Sequence, residues 1–189
     1  MKVLMLDNYD SFTYNLVHYL KENNVEVDVI RNDKIDLNNL TSYDKIMLSP
    51  GPGIPSEAGL LFDVIKKADE LNIPLMGVCL GHQAIAEVFG GELENMDDVY
   101  HGLAHNMKVL QVDALFHMLP EEFKVGRYHS WQVKNNDKVK EAFNVIAVDD
   151  QDNIMAIRHK SKDIVGVQFH PESVLTEHGK EMIANWIKN

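Results

Sequence analysis

The sequence predicts an α/β fold, with a mostly parallel central sheet flanked by helices and a small antiparallel extension. First, short apolar runs alternate with helix-like segments over residues 1–90, as they do in successive βαβ units. Second, a glycine-flanked turn at residues 77–81 joins a short apolar run directly to a helix. Third, the second half contains strand-like runs around polar turns, which predicts antiparallel pairing attached to the main sheet.

In the first half each element follows from the spacing of its apolar residues. Strands are predicted where these residues run together or alternate, and helices where they recur every three or four positions. The predicted strands are residues 3–6, 25–30, 45–48 and 75–78. The predicted helices are residues 12–24, 58–71 and 80–89, the last ended by Gly90 and Gly91. Residues 33–40 are expected to be a polar linker with room for a short helix.

The second half is predicted to be richer in strands. Strand-like runs cover residues 107–112, 125–133, 145–148, 154–158 and 164–169, and a final helix covers residues 177–187. A polar cluster at residues 149–153 marks the turn between the third and fourth runs. No internal repeat, low-complexity tract or linker divides the sequence, so residues 1–189 are expected to form a single domain.

Composition excludes several classes of function. The 189 residues carry a formal net charge of −11, which argues against binding to nucleic acid and against docking on anionic membranes. No apolar run approaches the roughly 20 residues of a membrane span, and the start MKVLMLDNYD becomes acidic too early for a signal peptide. The chain has 1 cysteine, so an intrachain disulfide is impossible. These features predict a cytoplasmic protein.

Cys79 stands at the centre of the turn at residues 77–81, between Gly77 and Gly81. A turn from strand to helix is expected to project its central side chain into solvent at the end of the sheet, and flanking glycines let other backbone approach closely. A buried structural cysteine is the ordinary alternative, but such a residue needs no glycine on either side. We therefore predict that Cys79 is a nucleophile, which requires a histidine base and a group that orients that base.

Two further loops are expected beside Cys79. Residues 7–12 and residues 49–55 also follow predicted strands, and functional loops gather at the carboxyl ends of parallel strands. The prolines and glycines of the second loop, SPGPGIP, prevent it from being helix or strand. Its alternative role is that of a rigid surface turn.

The segment VGVQFHPES contains the candidate base. A predicted strand leads to His170, Pro171 ends that strand, and Glu172 lies two residues beyond the histidine. A carboxylate at this spacing can hold one ring nitrogen of the imidazole and fix its tautomer. The alternative is a solvated turn, but the cysteine elbow in the same chain favours the functional interpretation.

A metal site is the other hypothesis that the nine histidines raise. The plausible cluster is His101, His105 and His129. However, the sequence has neither an H-E-x-x-H motif nor a zinc-type Cys/His spacing. We predict no metal and no other cofactor.

Together the motifs GVCLGHQ, PGPG and QFHPES resemble those of class I (triad-type) glutamine amidotransferases. The resemblance extends from LDNYDSFTYNL to the last helix and implies a flavodoxin-like sheet. By this resemblance Cys79 is the nucleophile, His170 the general base and acid, and Glu172 the orienting carboxylate. The implied reaction is hydrolysis of the side-chain amide of L-glutamine, with the backbone N–H groups of Gly53 and Leu80 holding the oxyanion.

The resemblance also implies a glutamine pocket and a protein partner. The residues expected to bind glutamine are Gly51, Pro52, Gly53, Gln83, Ser130 and Trp131. Residues 7–16 resemble the opening of component II glutaminase subunits, which deliver ammonia to a chorismate-using synthase subunit (component I) in a hetero-oligomer. The residues expected at that interface are Tyr9, Ser11, Phe12 and Tyr14.

Several alternatives remain open. We favour anthranilate synthesis, for tryptophan, over aminodeoxychorismate synthesis, for folate, as the reaction that uses the ammonia; a guanylate synthase subunit is a third candidate. A stand-alone γ-glutamyl hydrolase and a non-catalytic scaffold subunit would belong to different functional classes. One departure is expected to affect regulation: after His101-Gly102 many relatives carry Lys-(Ser/Thr), whereas this chain has Leu103-Ala104-His105.

Overall fold

The computed structural model describes residues 1–96 and 102–189. The strands in these ranges are β1 (Lys2–Asp7), β2 (Glu26–Arg31), β3 (Lys45–Leu48), β4 (Leu75–Val78), β5 (Leu93–Asn95), β6 (Leu103–Val109), β7 (Glu122–Arg127), β8 (Trp131–Val133), β9 (Phe143–Asp149), β10 (Ile154–His159) and β11 (Ile164–Val167). The α-helices are α1 (Thr13–Glu22), α2 (Leu61–Glu70), α3 (Leu80–Val88), α4 (Asp137–Ala142) and α5 (Gly179–Lys188). Short 3₁₀ helices lie at Leu37–Ser42, Pro55–Glu57 and Ala114–Phe116.

The main sheet has the strand order β2-β1-β3-β4-β11-β10-β9-β6-β7. From β2 to β11 in this order neighbouring strands are parallel, and the strands beyond β11 continue the sheet with antiparallel pairing. Strands β5 and β8 form a separate small antiparallel sheet. The predicted fold class, an α/β fold with a mostly parallel central sheet and an antiparallel extension, is therefore confirmed.

The pairing of β4 with β11 determines where the candidate site lies. These strands are far apart in the sequence but are parallel neighbours, with Gly77 opposite Gly166 and Val78 opposite Val167. Parallel neighbours end at the same edge of a sheet. The residues that follow them, Cys79 after β4 and the segment 168–172 after β11, therefore lie side by side.

The core lies on both faces of the sheet. Strands β3, β4 and β11 are buried along their whole length, which explains their nearly unbroken apolar sequences. Along β1 the side chains alternate, so that Val3 and Met5 join one apolar cluster while Leu4 and Leu6 join the other. Helices α1 and α5 pack in the first cluster, and helices α2 and α3 pack in the second.

The first half follows the predicted order of elements; most boundaries agree within one or two residues, and the start of α2 is shifted by three. Helix α2 begins at Leu61 and not at residue 58. The preceding Pro55–Glu57 forms a 3₁₀ helix, and Gly59 has a φ of +54°, which is incompatible with a continuous α-helix. The short helix for which the linker had room is the 3₁₀ helix Leu37–Ser42, where the Asp36 side chain accepts a hydrogen bond from the backbone N–H of Asn38.

Several predicted bounds in the second half are wrong. The run 145–148 is part of the longer β9, and the final helix α5 begins at Gly179 and not at residue 177. The run 125–133 is two strands, because β7 pairs with β6 in the main sheet whereas β8 pairs with β5 in the small one. The run 107–112 is β6 (Leu103–Val109), which begins four residues earlier than predicted because Leu103 already pairs with Arg127 of β7. The run 164–169 ends at Val167. The departure at residues 103–105 therefore lies in a strand.

Helix α4 is absent from the sequence prediction. Its six residues are too few to establish a helical period. The available signal was Asn136, whose side chain accepts a hydrogen bond from the Val139 backbone N–H at the N-cap position.

Candidate active site

Cys79 occupies a sharp turn between β4 and α3. The expectation that its side chain projects into solvent is wrong: Cys79 is 7% exposed, because the buried Gln168 packs against its sulfur. The backbone of Cys79 has φ 50° and ψ −100°, a conformation that residues with a side chain rarely adopt. Two backbone hydrogen bonds hold the turn: the Cys79 N–H donates to the Val167 oxygen at 2.8 Å, and the Cys79 oxygen accepts from the Gln83 N–H at 3.0 Å. Strain of this kind costs about 1–3 kcal/mol and concentrates at functional sites.

The glycines on either side of Cys79 are required by close packing. A Cβ atom on Gly77 would lie 2.4 Å from the carbonyl carbon of Gly81, and a Cβ on Gly81 would lie 2.6 Å from the backbone oxygen of Leu48. Helix α3 therefore starts in backbone-to-backbone contact with the sheet. This contact explains the G-x-C-x-G spacing in physical terms.

His170 and Glu172 form a buried pair beside Cys79. The His170 Nδ1 atom lies 2.7 Å from Glu172 Oε1, and both residues are 3% exposed. Burial alone lowers the pKa of His170, but the negative charge of the Cys79 sulfur and the Glu172 carboxylate together raise that pKa well above its ordinary value. The pairing at Nδ1 leaves the other ring nitrogen, Nε2, for the sulfur. The structure thus brings the three predicted residues together.

The loop after β3 is fastened to the loop after β1. The Asn8 N–H donates to Ser49 Oγ at 2.8 Å, and the Asn8 amide donates to the Ser49 oxygen at 2.8 Å. A Cβ on Gly51 would lie 2.6 Å from Leu80 Cδ2, so this loop lies against the start of α3. The first backbone N–H groups of a helix, here including that of Leu80, have no partner within the helix. The exposed residues of the loop include Pro52 and Gly53.

Two glutamines connect the elbow with the segment before His170. The Gln83 amide donates to the Trp131 oxygen at 2.7 Å and to Gln168 Oε1 at 3.2 Å, and the Gln168 amide donates to Cys79 Sγ at 3.6 Å. Gln168 is completely buried, and sequence reasoning missed it. The available signal was a polar residue directly after the apolar strand VGV and two positions before His170.

The predicted residues Ser130 and Trp131 are half-buried. A buried network of hydrogen bonds and an ion pair holds the segment that contains them. His129 Nδ1 lies 2.9 Å from the Trp131 oxygen, and Arg127 Nε donates to His129 Nε2 at 3.1 Å. Arg127 Nη1 in turn lies 2.5 Å from Asp149 Oδ2, with 1% and 5% of the two side chains exposed. The loop from β7 to β8 is therefore anchored to β9.

The four predicted interface residues lie on the surface. Tyr9 is 49% exposed, Phe12 38% and Tyr14 65%, and Ser11 is also exposed. Ordinary soluble surfaces expose scattered apolar residues, but three aromatic side chains within six positions form a local cluster.

Two negative findings apply to residues 1–96 and 102–189. No group of three His, Cys, Asp or Glu side chains is placed to hold a metal ion. No helix combines the length and the apolar character needed to cross a membrane. Of the histidine cluster considered from the sequence, His101 lies outside the described residues.

Two buried histidines predict how stability responds to acid. Burial lowers the pKa of His82 to about 3, and burial together with the Arg127 charge lowers that of His129 to about 3. In the unfolded chain both values are near 6.5. Between about pH 6.5 and about pH 3 the unfolded state therefore binds more protons, so the free energy of unfolding falls on acidification by roughly 1.4 kcal/mol per pH unit for each histidine.

Urea unfolding between about pH 5 and about pH 7.5 measures this slope. The raised pKa of His170 adds nothing below about pH 6.5, because that imidazole is then protonated in both states. We expect His82→Asn to reduce the slope by up to roughly 1.4 kcal/mol per pH unit, whereas the matched change His117→Asn, at an exposed position, has a much smaller effect. An equal slope in His82→Asn and the parent chain would contradict the assignment.

The fold and the site together define a class of protein. A cysteine on a strained strand-to-helix turn faces a histidine whose far nitrogen is held by a carboxylate, at the edge of an α/β sheet. Enzymes with this arrangement work through a covalent intermediate on the nucleophile.

Comparison with known proteins places the chain within this class. The family model "Glutamine amidotransferase class-I" matches residues 4–189. The aminodeoxychorismate/anthranilate synthase component 2 of Bacillus subtilis (strain 168) is 45% identical over 192 residues, which cover 98% of this chain and 95% of that protein. The anthranilate synthase component 2 of Pseudomonas aeruginosa is 43% identical over 193 residues, which cover 98% and 94%.

A solved structure from Thermoplasma acidophilum, described provisionally as one subunit of a GMP synthase, superimposes with a TM-score of 0.89. It is 29% identical, and the match covers 100% of this chain and 92% of that one. The chain therefore belongs to the class-I glutamine amidotransferase family. The enzyme class predicted from the motifs, glutamine amidotransferase, is confirmed.

Proposed function

We propose that this chain is the glutaminase subunit of a chorismate-using synthase, and that it hydrolyses L-glutamine and delivers ammonia to a separate component I subunit. The observation that carries the proposal is the meeting of Cys79, after β4, with His170 and Glu172, after β11, at one edge of the sheet. The sulfur, the imidazole and the carboxylate supply the nucleophile, the proton carrier and its orienting group.

The reaction follows from these positions. The Cys79 thiolate attacks the side-chain amide carbon of glutamine, and a C–S bond forms as the carbonyl electrons move to oxygen. The imidazolium of His170 protonates the nitrogen, the C–N bond breaks, and ammonia leaves. The neutral imidazole then removes a proton from water, whose oxygen attacks the thioester. The C–S bond breaks, which releases glutamate and regenerates the thiolate. Glu172 keeps the exchanging proton at Nε2 by holding Nδ1.

The oxyanion is assigned to the backbone N–H groups of Leu80 and Gly53. The first lies in the opening turn of α3, where the helix itself leaves it without a partner, and the second lies on the loop that packs over that turn. Loss of one such donor costs about 3–4 kcal/mol of transition-state stabilisation. The glutamine itself is assigned to the walls of the same cleft, formed by Gly51, Pro52, Gly53, Gln83, Ser130 and Trp131.

The partner is assigned from the names of the relatives that this chain most resembles among those compared above. Relatives whose names refer to anthranilate or aminodeoxychorismate synthase are 43% and 45% identical, whereas the provisional GMP synthase protein is 29% identical. This difference favours a chorismate-using synthase over a guanylate synthase. We place anthranilate synthesis first because the names of both of these relatives refer to it, and we keep aminodeoxychorismate synthesis as the alternative because the Bacillus subtilis relative carries that name as well.

The proposal also covers the assembly of the protein and its cellular compartment. Residues 1–189 act as one domain in a hetero-oligomer with component I, and the exposed Tyr9, Ser11, Phe12 and Tyr14 take part in the contact. A thiol nucleophile must stay reduced, so we place the complex in the cytoplasm.

Reconstitution with purified synthase subunits tests the proposal. With the component I subunit of anthranilate synthase, we expect anthranilate to form from chorismate and glutamine only when this chain is present. Ammonium salts should replace both glutamine and this chain, because the synthase subunit uses ammonia directly. Anthranilate fluorescence and glutamate release are measured in the same reactions.

The other outcomes separate the alternatives. Product formed only with the aminodeoxychorismate synthase subunit would reassign the partner. Glutamine hydrolysis at its full rate without any synthase would favour a stand-alone γ-glutamyl hydrolase. Failure to hydrolyse glutamine in every mixture, with a Cys79 that resists alkylation by a glutamine analogue, would support a scaffold role.

A further inference from the structure

The side chain of Phe12 is both exposed at the surface and in contact with His170. The two ring centroids lie 6.3 Å apart with an interplanar angle of 79°, an edge-to-face contact. Tyr128 packs on the same imidazole, with centroids 4.9 Å apart at 63°, and also contacts Phe12 at 5.9 Å. Phe12 and Tyr128 therefore form an aromatic clamp on His170.

The clamp supplies a restraint that hydrogen bonding does not. The bond from His170 Nδ1 to Glu172 fixes one corner of the imidazole, but the ring can still tilt about that contact. Contact with Phe12 and Tyr128 opposes this tilt and so keeps Nε2 directed toward Cys79. A displacement of about 1 Å at a reacting group can cost roughly 100-fold in rate.

Phe12 also breaks two local rules of its own segment. It occupies the N-cap position of α1, where Ser, Thr, Asp or Asn is preferred, and it makes no side-chain cap. It also leaves 38% of a large apolar residue exposed. Residues that break local rules without a local gain are expected at functional sites.

We infer that Phe12 is a positioning residue that connects the synthase-facing surface to the general base His170. This inference rests on the proposed function. Ammonia must pass to its acceptor without loss to water, so the synthase subunit must cover the mouth of this site. Near Phe12 and His170 in the sequence, the exposed apolar side chains include Tyr9, Tyr14 and Val174.

The surface that carries Phe12 and Val174 reaches both halves of the clamp. Phe12 is itself one half, and it contacts Tyr128, the other half. Val174 is 98% exposed and follows Ser173, whose hydroxyl lies 3.0 Å from the Tyr128 hydroxyl. A subunit that buries this surface therefore restrains Phe12 and Tyr128 at once, and through them the imidazole.

The test compares Phe12→Ala, Phe12→Tyr and a matched control, Phe62→Ala, in which a partly buried phenylalanine of α2 is truncated. Glutamine hydrolysis is measured for the chain alone and with the synthase subunit. We expect Phe12→Ala to lower kcat by roughly 10-fold to 100-fold with KM for glutamine unchanged, and Phe12→Tyr to restore it. The stimulation of hydrolysis by the synthase should also be lost in Phe12→Ala, whereas Phe62→Ala keeps both properties.

A second readout needs no turnover. The groups that act on the His170 charge are Cys79 from the elbow, Glu172 from its own loop and His129 from the loop after β7. Removal of the Phe12 ring lets the imidazole tilt away from Cys79 and admits water, so it changes both the burial that lowers the pKa of His170 and the charges that raise it. We expect the NMR titration midpoint of the His170 ring in Phe12→Ala to differ from that of the parent chain, and the midpoint in Phe62→Ala to match it.

The outcomes separate this inference from the proposed function. If the parent chain hydrolyses no glutamine with any synthase, the proposed function fails, and the titration of His170 still decides whether Phe12 acts on the base. If the parent chain is active and Phe12→Ala keeps its kcat, its stimulation by the synthase and its titration midpoint, the inference is overturned. Equal losses in Phe12→Ala and Phe62→Ala would also overturn it, because they would indicate a general loss of packing.

Discussion

Replacement of Cys79 by serine is expected to reduce glutamine-dependent product formation by roughly 1,000-fold or more in the complex with the synthase. A serine hydroxyl is far less ionised than a thiol, so in the variant the imidazolium of His170 has no thiolate beside it. Synthesis from added ammonium salts should continue at the parental rate, since that reaction bypasses the elbow. Glutamate release and product formation are measured in parallel.

The two substrates make this experiment its own control. A loss of ammonia-dependent synthesis as well would indicate that the substitution disrupts assembly. Equal midpoints of thermal unfolding for the parent chain and Cys79→Ser would show that the fold is intact. Glutamine-dependent synthesis that persists within about tenfold of the parent would remove Cys79 from the role of nucleophile.

Asp149→Asn is expected to destabilise the protein by about 3–5 kcal/mol. Its carboxylate lies 2.5 Å from the guanidinium of Arg127, which is 1% exposed, and it also accepts hydrogen bonds from the backbone N–H groups of Gln151 and Asn153 at 2.9 Å. Neutralising it removes the negative partner of a charge that is already out of water. Urea unfolding at about pH 7.5 measures the loss.

The adjacent residue provides the matched control. Asp150 is exposed, so Asp150→Asn should change the free energy of unfolding by less than about 0.5 kcal/mol. Asp149→Asn should also raise KM for glutamine, because the network of Arg127 and His129 carries the segment with Ser130 and Trp131. Equal stability of the two variants would show that the buried pair contributes little.

The sequence revealed those parts of the site that depend on short spacings. Glycines two residues before and after Cys79 mark the elbow, since the contacts at 2.4 Å and 2.6 Å leave no space for a Cβ atom. His170 and Glu172 are two residues apart, close enough for one loop to join them whatever the rest of the fold does. Local sterics determine both features, and local sequence records them.

Other parts were hidden because long-range pairing decides them. The run 125–133 resembles one strand, yet its two ends belong to different sheets. Its sequence contains no signal that the first part pairs with β6 and the last part with β5. The hydrogen bond from Gln168 to Cys79 and the contact of Phe12 with His170 join residues that are far apart in the chain. Such contacts follow from strand order, which depends on the packing of the whole core.

By itself, then, the sequence determined the elbow, the histidine–carboxylate pair and the alternation of strands and helices, because each follows from sterics and periodicity over a few residues. Only the tertiary structure decided that β11 lies beside β4 and that Arg127 and Asp149 share a buried charge pair. The physical reason is that strand neighbours and buried ion pairs are selected by the burial of both faces of the sheet at once, a condition that no single segment contains.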